Sequence, residues 1–309
     1  MKRLALAFAA LLLASSARAD GIGPTFDNFG GGISPPRSVA AVLPGNLISG
    51  ASAWWGLRAY DAAHAGTKAI RIVRASDSVQ SDINSLANGN LDVATATTFC
   101  NATTCTIVTM YDQSGALACT GAVACDVTNA TVANQPALTF NCIGSRPCAT
   151  YLATQSAGLL TAVTMTAPIQ PFTIAAVAER TGSFTSNNAW IGQVGVNGFP
   201  MAGFDAAVNQ LFMYDGLVVS VAGVADSTFH AVQNLFNAAS SSFFVDGTLT
   251  PTTSPGLTTW VGLQAQIGVQ GGGGYPLNGK FTEVGIWPVA FTAPQQSSMN
   301  VNQHAYWGF

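Results

Sequence analysis

Beyond residue 50, short apolar runs alternate with turn residues as far as residue 309. Runs of that length, rich in β-branched and aromatic residues and bounded by Gly, Asn, Asp and Ser, predict strands. The clearest are Ala69–Arg74, Cys105–Tyr111, Ala137–Asn141, Phe172–Glu179, Ala189–Val194, Gln210–Tyr214, Leu217–Ala222, Thr228–Phe236, Ser242–Val245, Gln264–Val269 and Lys280–Trp287. Asp215-Gly216 and Asp246-Gly247 predict tight hairpins, because the favoured two-residue turn needs φ > 0 at both positions. Helical spacing is confined to Val79–Leu86 and Pro294–His304. Strand following strand without intervening helices favours a sandwich over an α/β fold. No repeat or linker interrupts 51–309, which reads as one domain. Residues 20–50, with glycines at 30–32 and Pro35-Pro36, read as an extended N-terminal arm.

The first nineteen residues follow another pattern. Met1-Lys2-Arg3 precedes an apolar run from Leu4 to Ala14 and then Ala17-Arg18-Ala19. Basic start, short apolar stretch and Ala-x-Ala site predict a secretory signal and an exported protein, periplasmic or extracellular. No stretch reaches the ~18 apolar residues that a spanning helix needs.

Export changes the charge balance. Without Lys2, Arg3 and Arg18, eight basic residues face 14 acidic ones, a formal charge of −6. No basic cluster remains, so nucleic acid is not an expected partner. Six cysteines in an exported chain predict disulfides. Six allow 15 connectivities, but these fall into three close pairs: Cys100–Cys105, Cys119–Cys125 and Cys142–Cys148. A metal site is the rival reading. Against it, there is no Cys-x-x-Cys, and His64, His230 and His304 lie far from the cysteines in sequence. Calcium would need several converging oxygens; Asp77 and Asp82 are close, but no EF-hand-like loop occurs. No cofactor is expected.

Four strings carry a resemblance. They are Trp55-Gly-Leu-Arg58-Ala-Tyr60 continuing to Ile70–Asp77, Thr98–Cys105 followed by Met110-Tyr111-Asp112-Gln113-Ser114-Gly115, Phe229–Phe236 with Phe244-Val245-Asp246-Gly247, and Gly279–Trp287. Together they resemble the concanavalin-A-like jelly rolls of the laminin-G-like type. The resemblance implies an all-β, two-sheet antiparallel jelly-roll sandwich. The first two strings are most similar to the catalytic domain of the arabinofuranosidase B family of glycoside hydrolases. That similarity implies a glycan as partner.

A glycosidase needs two carboxyl groups about the scissile bond, and the whole chain holds only two glutamates, Glu179 and Glu283. Glu283 lies in an expected strand. Alternation there places Phe281, Glu283, Gly285 and Trp287 on one face. Glu179 ends an apolar run beside Arg180. In the family that the chain resembles, the nucleophilic Glu precedes an Asn-rich string ending in Leu-Phe. The comparable string here is Val208-Asn209-Gln210-Leu211-Phe212, with Asp205 and Asp215 nearby. The family's acid sits in a Gly-rich loop; the comparable Gly271–Tyr275 holds no carboxylate. The family's adjacent Cys-Cys pair is missing too. The catalytic candidates are therefore Glu283, Glu179, Asp205 and Asp215. Candidate ligand contacts are Tyr275, Trp287, Asp112 and Asn209. Three functions follow from this: a glycan-binding domain without hydrolysis, an α-L-arabinofuranosidase, or a structural or adhesive surface protein.

Overall fold

The computed structural model describes residues 42–154, 158–166, 169–181, 186–193, 200–207, 209–257, 264–269 and 274–309. The expected signal, most of the arm, Val194, Val208 and Gly271–Gly273 lie outside these. The described residues fall in one compact unit, residues 40–309.

The fold is all-β. In the first half the strands are β1 (Ala53–Gly56), β2 (Lys68–Arg74), β3 (Gln80–Asn84), β4 (Cys105–Met110), β5 (Val127–Thr128), β6 (Ala137–Ile143), β7 (Arg146–Tyr151), β8 (Leu159–Thr161) and β9 (Phe172–Arg180). The second half adds β10 (Asn188–Gln193), β11 (Met201–Phe204), β12 (Gln210–Tyr214), β13 (Val218–Ala222), β14 (His230–Phe236), β15 (Ser242–Val245), β16 (Thr248–Pro251), β17 (Ala265–Ile267) and β18 (Gly279–Trp287). Three helices accompany them: α1 (Pro44–Leu47), α2 (Val93–Phe99) and α3 (Ala293–Trp307). Every expected strand is present.

The strand pairings are antiparallel throughout. One run links β3, β2, β4, β6, β7, β18, β9, β14, β15 and β16 in spatial order. A second leaves β4 through β5, β8, β17, β10, β11 and β12 to β13. β18 is the hub. β9 lies along one edge, while β7 and then β1 share the other.

β9 and β18 are buried on both faces, which explains their near-continuous apolar sequences. Ile174, Ala176, Val284 and Ile286 enter the main core. Ala175 and Trp287 enter a second core with Trp54, Tyr60, Ile48 and Met299, covered by α1 and α3. Residues 42–50 thus contribute to packing, with Ile48 only 4% exposed. In the second core, Trp54 and Trp287 meet edge to face at 6.0 Å. Gly285 permits that approach, since a Cβ there would lie 2.6 Å from both indoles.

Two expectations are corrected. Val79–Leu86 is not helical: Gln80–Asn84 is β3, paired with β2. The spacing of Val79, Ile83 and Leu86 imitates a helix face, but only Ile83 is buried; the other two are 46% and 43% exposed. Pairing with β2, which places Asp82 opposite Arg71, outweighs the weak helical period. The second correction concerns β18. Phe281 does not share a face with Glu283, Gly285 and Trp287. A register shift between Phe281 and Glu283 turns Phe281 into the main core, while Trp287 stays in the second.

The expected local pairings form: Cys100–Cys105, Cys119–Cys125 and Cys142–Cys148. Asp246-Gly247 makes the expected two-residue turn, with φ of 47° and 86° between Val245 and its partner Thr248. Asp215-Gly216 turns the chain between β12 and β13 as part of a three-residue loop from Tyr214 to its partner Val218, with positive φ (106°) at Gly216 and not at Asp215.

Candidate functional site

The first and last of the four strings meet at a buried charge pair. Arg58 follows β1, and its Nε and Nη2 donate to Glu283 Oε2 and Oε1 at 2.6 and 2.8 Å. Gln303 Nε2, from α3, donates to Oε1 at 3.1 Å. Both charged side chains are fully buried. The Arg58 guanidinium also lies over Tyr306, 4.3 Å from the ring centroid. Bidentate geometry and a third donor satisfy a carboxylate that could not otherwise remain charged away from water.

The Tyr111–Gly115 string is likewise committed to structure. Asp112 Oδ1 accepts from the backbone N–H groups of Trp54 and Ser114, each at 3.0 Å, and Oδ2 from Cys125 at 3.1 Å. One carboxylate thereby ties β1, the end of β4 and a disulfide loop. Burial raises the Asp112 carboxyl above its ordinary range, against the three N–H bonds that lower it. Gln113 Nε2 donates to Gly56 O at 3.2 Å. Tyr111 donates to Asp82 at 2.6 Å, beside Arg71 and Lys68. The Arg71 guanidinium, foremost, holds Asp82 well below the usual carboxylate range.

The remaining candidates occupy three places. Trp287 is buried, its indole donating to Ile48 O at 3.0 Å. Asp215 is 1% exposed and accepts from Gln170 Nε2. Glu179 pairs with Lys280 Nζ at 2.9 Å.

Asp205, Asn209 and Tyr275 belong to a rim where several strands end. Its centre is Arg180, the last residue of β9, whose side chain is fully buried. Arg180 Nε and Nη2 donate to Asp226 Oδ1 and Oδ2, both at 2.8 Å. Its other donors reach the carbonyls of Asp205 and Ala207, fixing the turn between β11 and β12. Asn209 takes φ +57°, a conformation that Asn tolerates better than most residues. Its side chain accepts from Asp226 N at 2.9 Å. Asp205 accepts from Ser220 Oγ. Asn187 Oδ1 accepts from Ala206 N at 2.8 Å, and Asn188 Oδ1 from Asn278 N at 3.2 Å. These bonds join the 205–207 turn and the 274–278 segment to the start of β10, with Tyr275 37% exposed beside it. The exposed Asn209 amide, the Tyr275 phenol ring and two partly exposed carboxylates around a buried cation make a hydrogen-bonding edge suited to sugar hydroxyls.

Sequence reasoning missed Arg180 and Asp226 as a pair. In the sequence Arg180 stands out only as the neighbour of Glu179, and Asp226 lies 46 residues away. The available signal was an arginine closing an apolar run that is buried on both faces.

Comparison with known proteins agrees with the fold. Residues 49–144 match the family model described as alpha-L-arabinofuranosidase B, catalytic. No curated protein sequence matches the chain. A GH54 α-L-arabinofuranosidase soaked with a cyclic sulfate inhibitor superposes with a TM-score of 0.62 at 16% identity, over 82% of this chain and 62% of that one. An arabinofuranosidase complexed with arabinofuranosyl-α-1,2-xylobiose gives 0.59 with the same identity and coverage. The chain thus spans less than two thirds of the length of those enzymes. It is similar to the arabinofuranosidase B catalytic domain in sequence over residues 49–144, and shares the fold of such enzymes over most of its own length.

Proposed function

We propose that this chain is an exported, glycan-directed domain that binds arabinose-containing polysaccharide without hydrolysing it. The two strand runs, joined through β4, are read as the layers of a laminin-G-like jelly-roll sandwich, with the rim around Arg180 at one end. Three disulfides suit an oxidising compartment.

One observation carries the absence of hydrolysis: each described carboxylate already holds a part of the fold. Glu283 and Glu179 pair with Arg58 and Lys280. Asp77, Asp82, Asp226 and Asp246 pair with Arg74, Arg71, Arg180 and His230. Asp61, Asp92, Asp112, Asp126 and Asp205 cap backbone N–H groups. Asp215 is buried against Gln170. Tyr275 and Asn209 are the proposed sugar contacts.

A hydrolytic reading has one point in its favour. The Asp226 carboxylate and the Asp205 backbone carbonyl both accept from Arg180, which brings the two acids to one rim, and a glycosidase needs two carboxyls about 5–9.5 Å apart. The deciding measurement exposes the purified chain to 4-nitrophenyl α-L-arabinofuranoside, alongside titration calorimetry with arabinose-bearing xylo-oligosaccharides. The expected result is binding without 4-nitrophenol release, weakened about tenfold in Tyr275→Ala. Turnover that disappears in Asp205→Asn or Asp226→Asn would establish the hydrolase instead. Neither binding nor turnover would leave the structural or adhesive role.

A further inference from the structure

Among the described basic residues, charge pairing has one exception. Arg58, Lys68, Arg71, Arg74, Arg180 and Lys280 each have a carboxylate partner. Arg146, at the start of β7, has none among the described residues. Its guanidinium is nonetheless fixed. It lies over the Tyr306 ring, 3.7 Å from the centroid, and Nη1 donates to Asn90 Oδ1 at 3.3 Å. Arginine carries five N–H donors in a planar fork, so most of them remain for another group.

That fork borders a cavity of about 350 Å³, at the lower end of the ~300–1,000 Å³ typical of small-molecule sites. Arg146, Asn90, Asp92, Ser145, Leu86 and Tyr306 help to line it. The Tyr306 ring is not free to collapse inward, because Arg58, itself paired with Glu283, holds it from within the fold. Asp92 is held below its ordinary range, chiefly by the Thr95 backbone N–H, and so is charged at neutral pH. The cavity therefore offers a forked cation, a fixed anion, an amide and a hydroxyl beside apolar surface.

We infer that this cavity binds a sugar acid, a uronate whose carboxylate docks on Arg146 and whose ring hydroxyls donate to Asp92 and Asn90. A planar carboxylate matches the guanidinium fork. The Asp92 charge disfavours a multiply charged phosphate, yet it accepts from hydroxyls. This site shares no residue with the Arg180 rim and does not depend on the arabinose reading.

The test is titration calorimetry of the whole chain with D-glucuronate, D-galacturonate, glucose and acetate, then with a glucuronate-bearing xylo-oligosaccharide. A uronate should bind at least about tenfold more tightly than glucose or acetate, the discrimination expected of a charge-assisted pair. The oligosaccharide arm separates a free acid from a chain substituent: tighter binding of the oligosaccharide places the uronate on a glycan. Arg146→Gln should remove the preference. Because Arg146 also stacks on Tyr306, a second variant guards against misfolding. Asn90→Asp gives the guanidinium the carboxylate it lacks, so it should keep the melting temperature and abolish uronate binding. Equal affinity for glucose and glucuronate, equal affinity for acetate, or unchanged uronate binding in folded Asn90→Asp would overturn the assignment.

Discussion

At the scale of single residues, this chain concentrates its few charges where they hold strands together. The Arg58–Glu283 pair joins positions 225 residues apart with both side chains fully buried. Removing one partner of such a pair leaves an uncompensated buried charge, which costs about 3–5 kcal/mol. Arg58→Met should therefore lower the unfolding free energy by about that amount in urea titrations, and Arg58→Met with Glu283→Leu by much less. A similar loss in the double variant would mean that packing over Tyr306, rather than charge, sets the cost. His230 supplies a pH-dependent counterpart. Its Nδ1 is 2.6 Å from Asp246 Oδ2, its Nε2 is 2.7 Å from Ala225 O, and His304 Nε2 faces the other Asp246 oxygen at 3.1 Å. Acceptors at both ring nitrogens favour imidazolium. Burial acts to lower the His230 pKa, but the Asp246 and Ala225 bonds prevail and raise it above its ordinary 6.5. A raised folded-state value means that the folded chain binds more protons, so stability falls as pH rises. The contribution is complete below about pH 6.5 and is lost as pH climbs through the raised value. Asp246 is itself held below its ordinary value, so its share survives until strongly acidic pH. Melting temperature should drop as pH rises from about 6.5 through the raised value, and His230→Gln should flatten that slope.

At the scale of elements, what was legible depended on whether the signal was local. Gln210–Tyr214 and Ser242–Val245 were readable to the residue, because apolar alternation and Asp-Gly turns bound them on one side. The turn makes its own prediction. Gly247 has φ +86°, where a Cβ costs about 1–2 kcal/mol, so Gly247→Ala should lower the melting temperature while leaving the rim intact. β3 was misread because its pattern is locally helical and only the partner strand decides it. β1 and β7 were passed over because Ala53–Gly56 is too short to show a period and Pro147 interrupts Arg146–Tyr151. The face change within β18 had no local signature either; it comes from the mismatch with β9. The site divides in the same way. Asp205, Asn209 and Tyr275 could be named from turns and resemblance. Arg180 with Asp226, and Arg146 with its cavity, arise from contacts that only the fold creates.

At the scale of the whole molecule, the disulfides and the sheet do separate work. All three bridges lie between residues 100 and 148 and close loops of five or six positions. Loops so short contribute only about 2 kcal/mol each in the chain-entropy model. Reduction should therefore loosen the loops, not unfold the sheet: circular dichroism should keep its β signature in mild reductant while the melting temperature falls. Global unfolding on reduction would instead make the bridges the main support. The position of β18 has a different consequence, one for biosynthesis. The strand that joins β1, β7 and β9 is made after all three of them, so contacts of very high sequence separation close the fold. Such contact order implies slow folding that begins in earnest only after synthesis has passed residue 287. Until then three strands present open edges, an aggregation hazard that chaperone binding to the nascent chain would relieve.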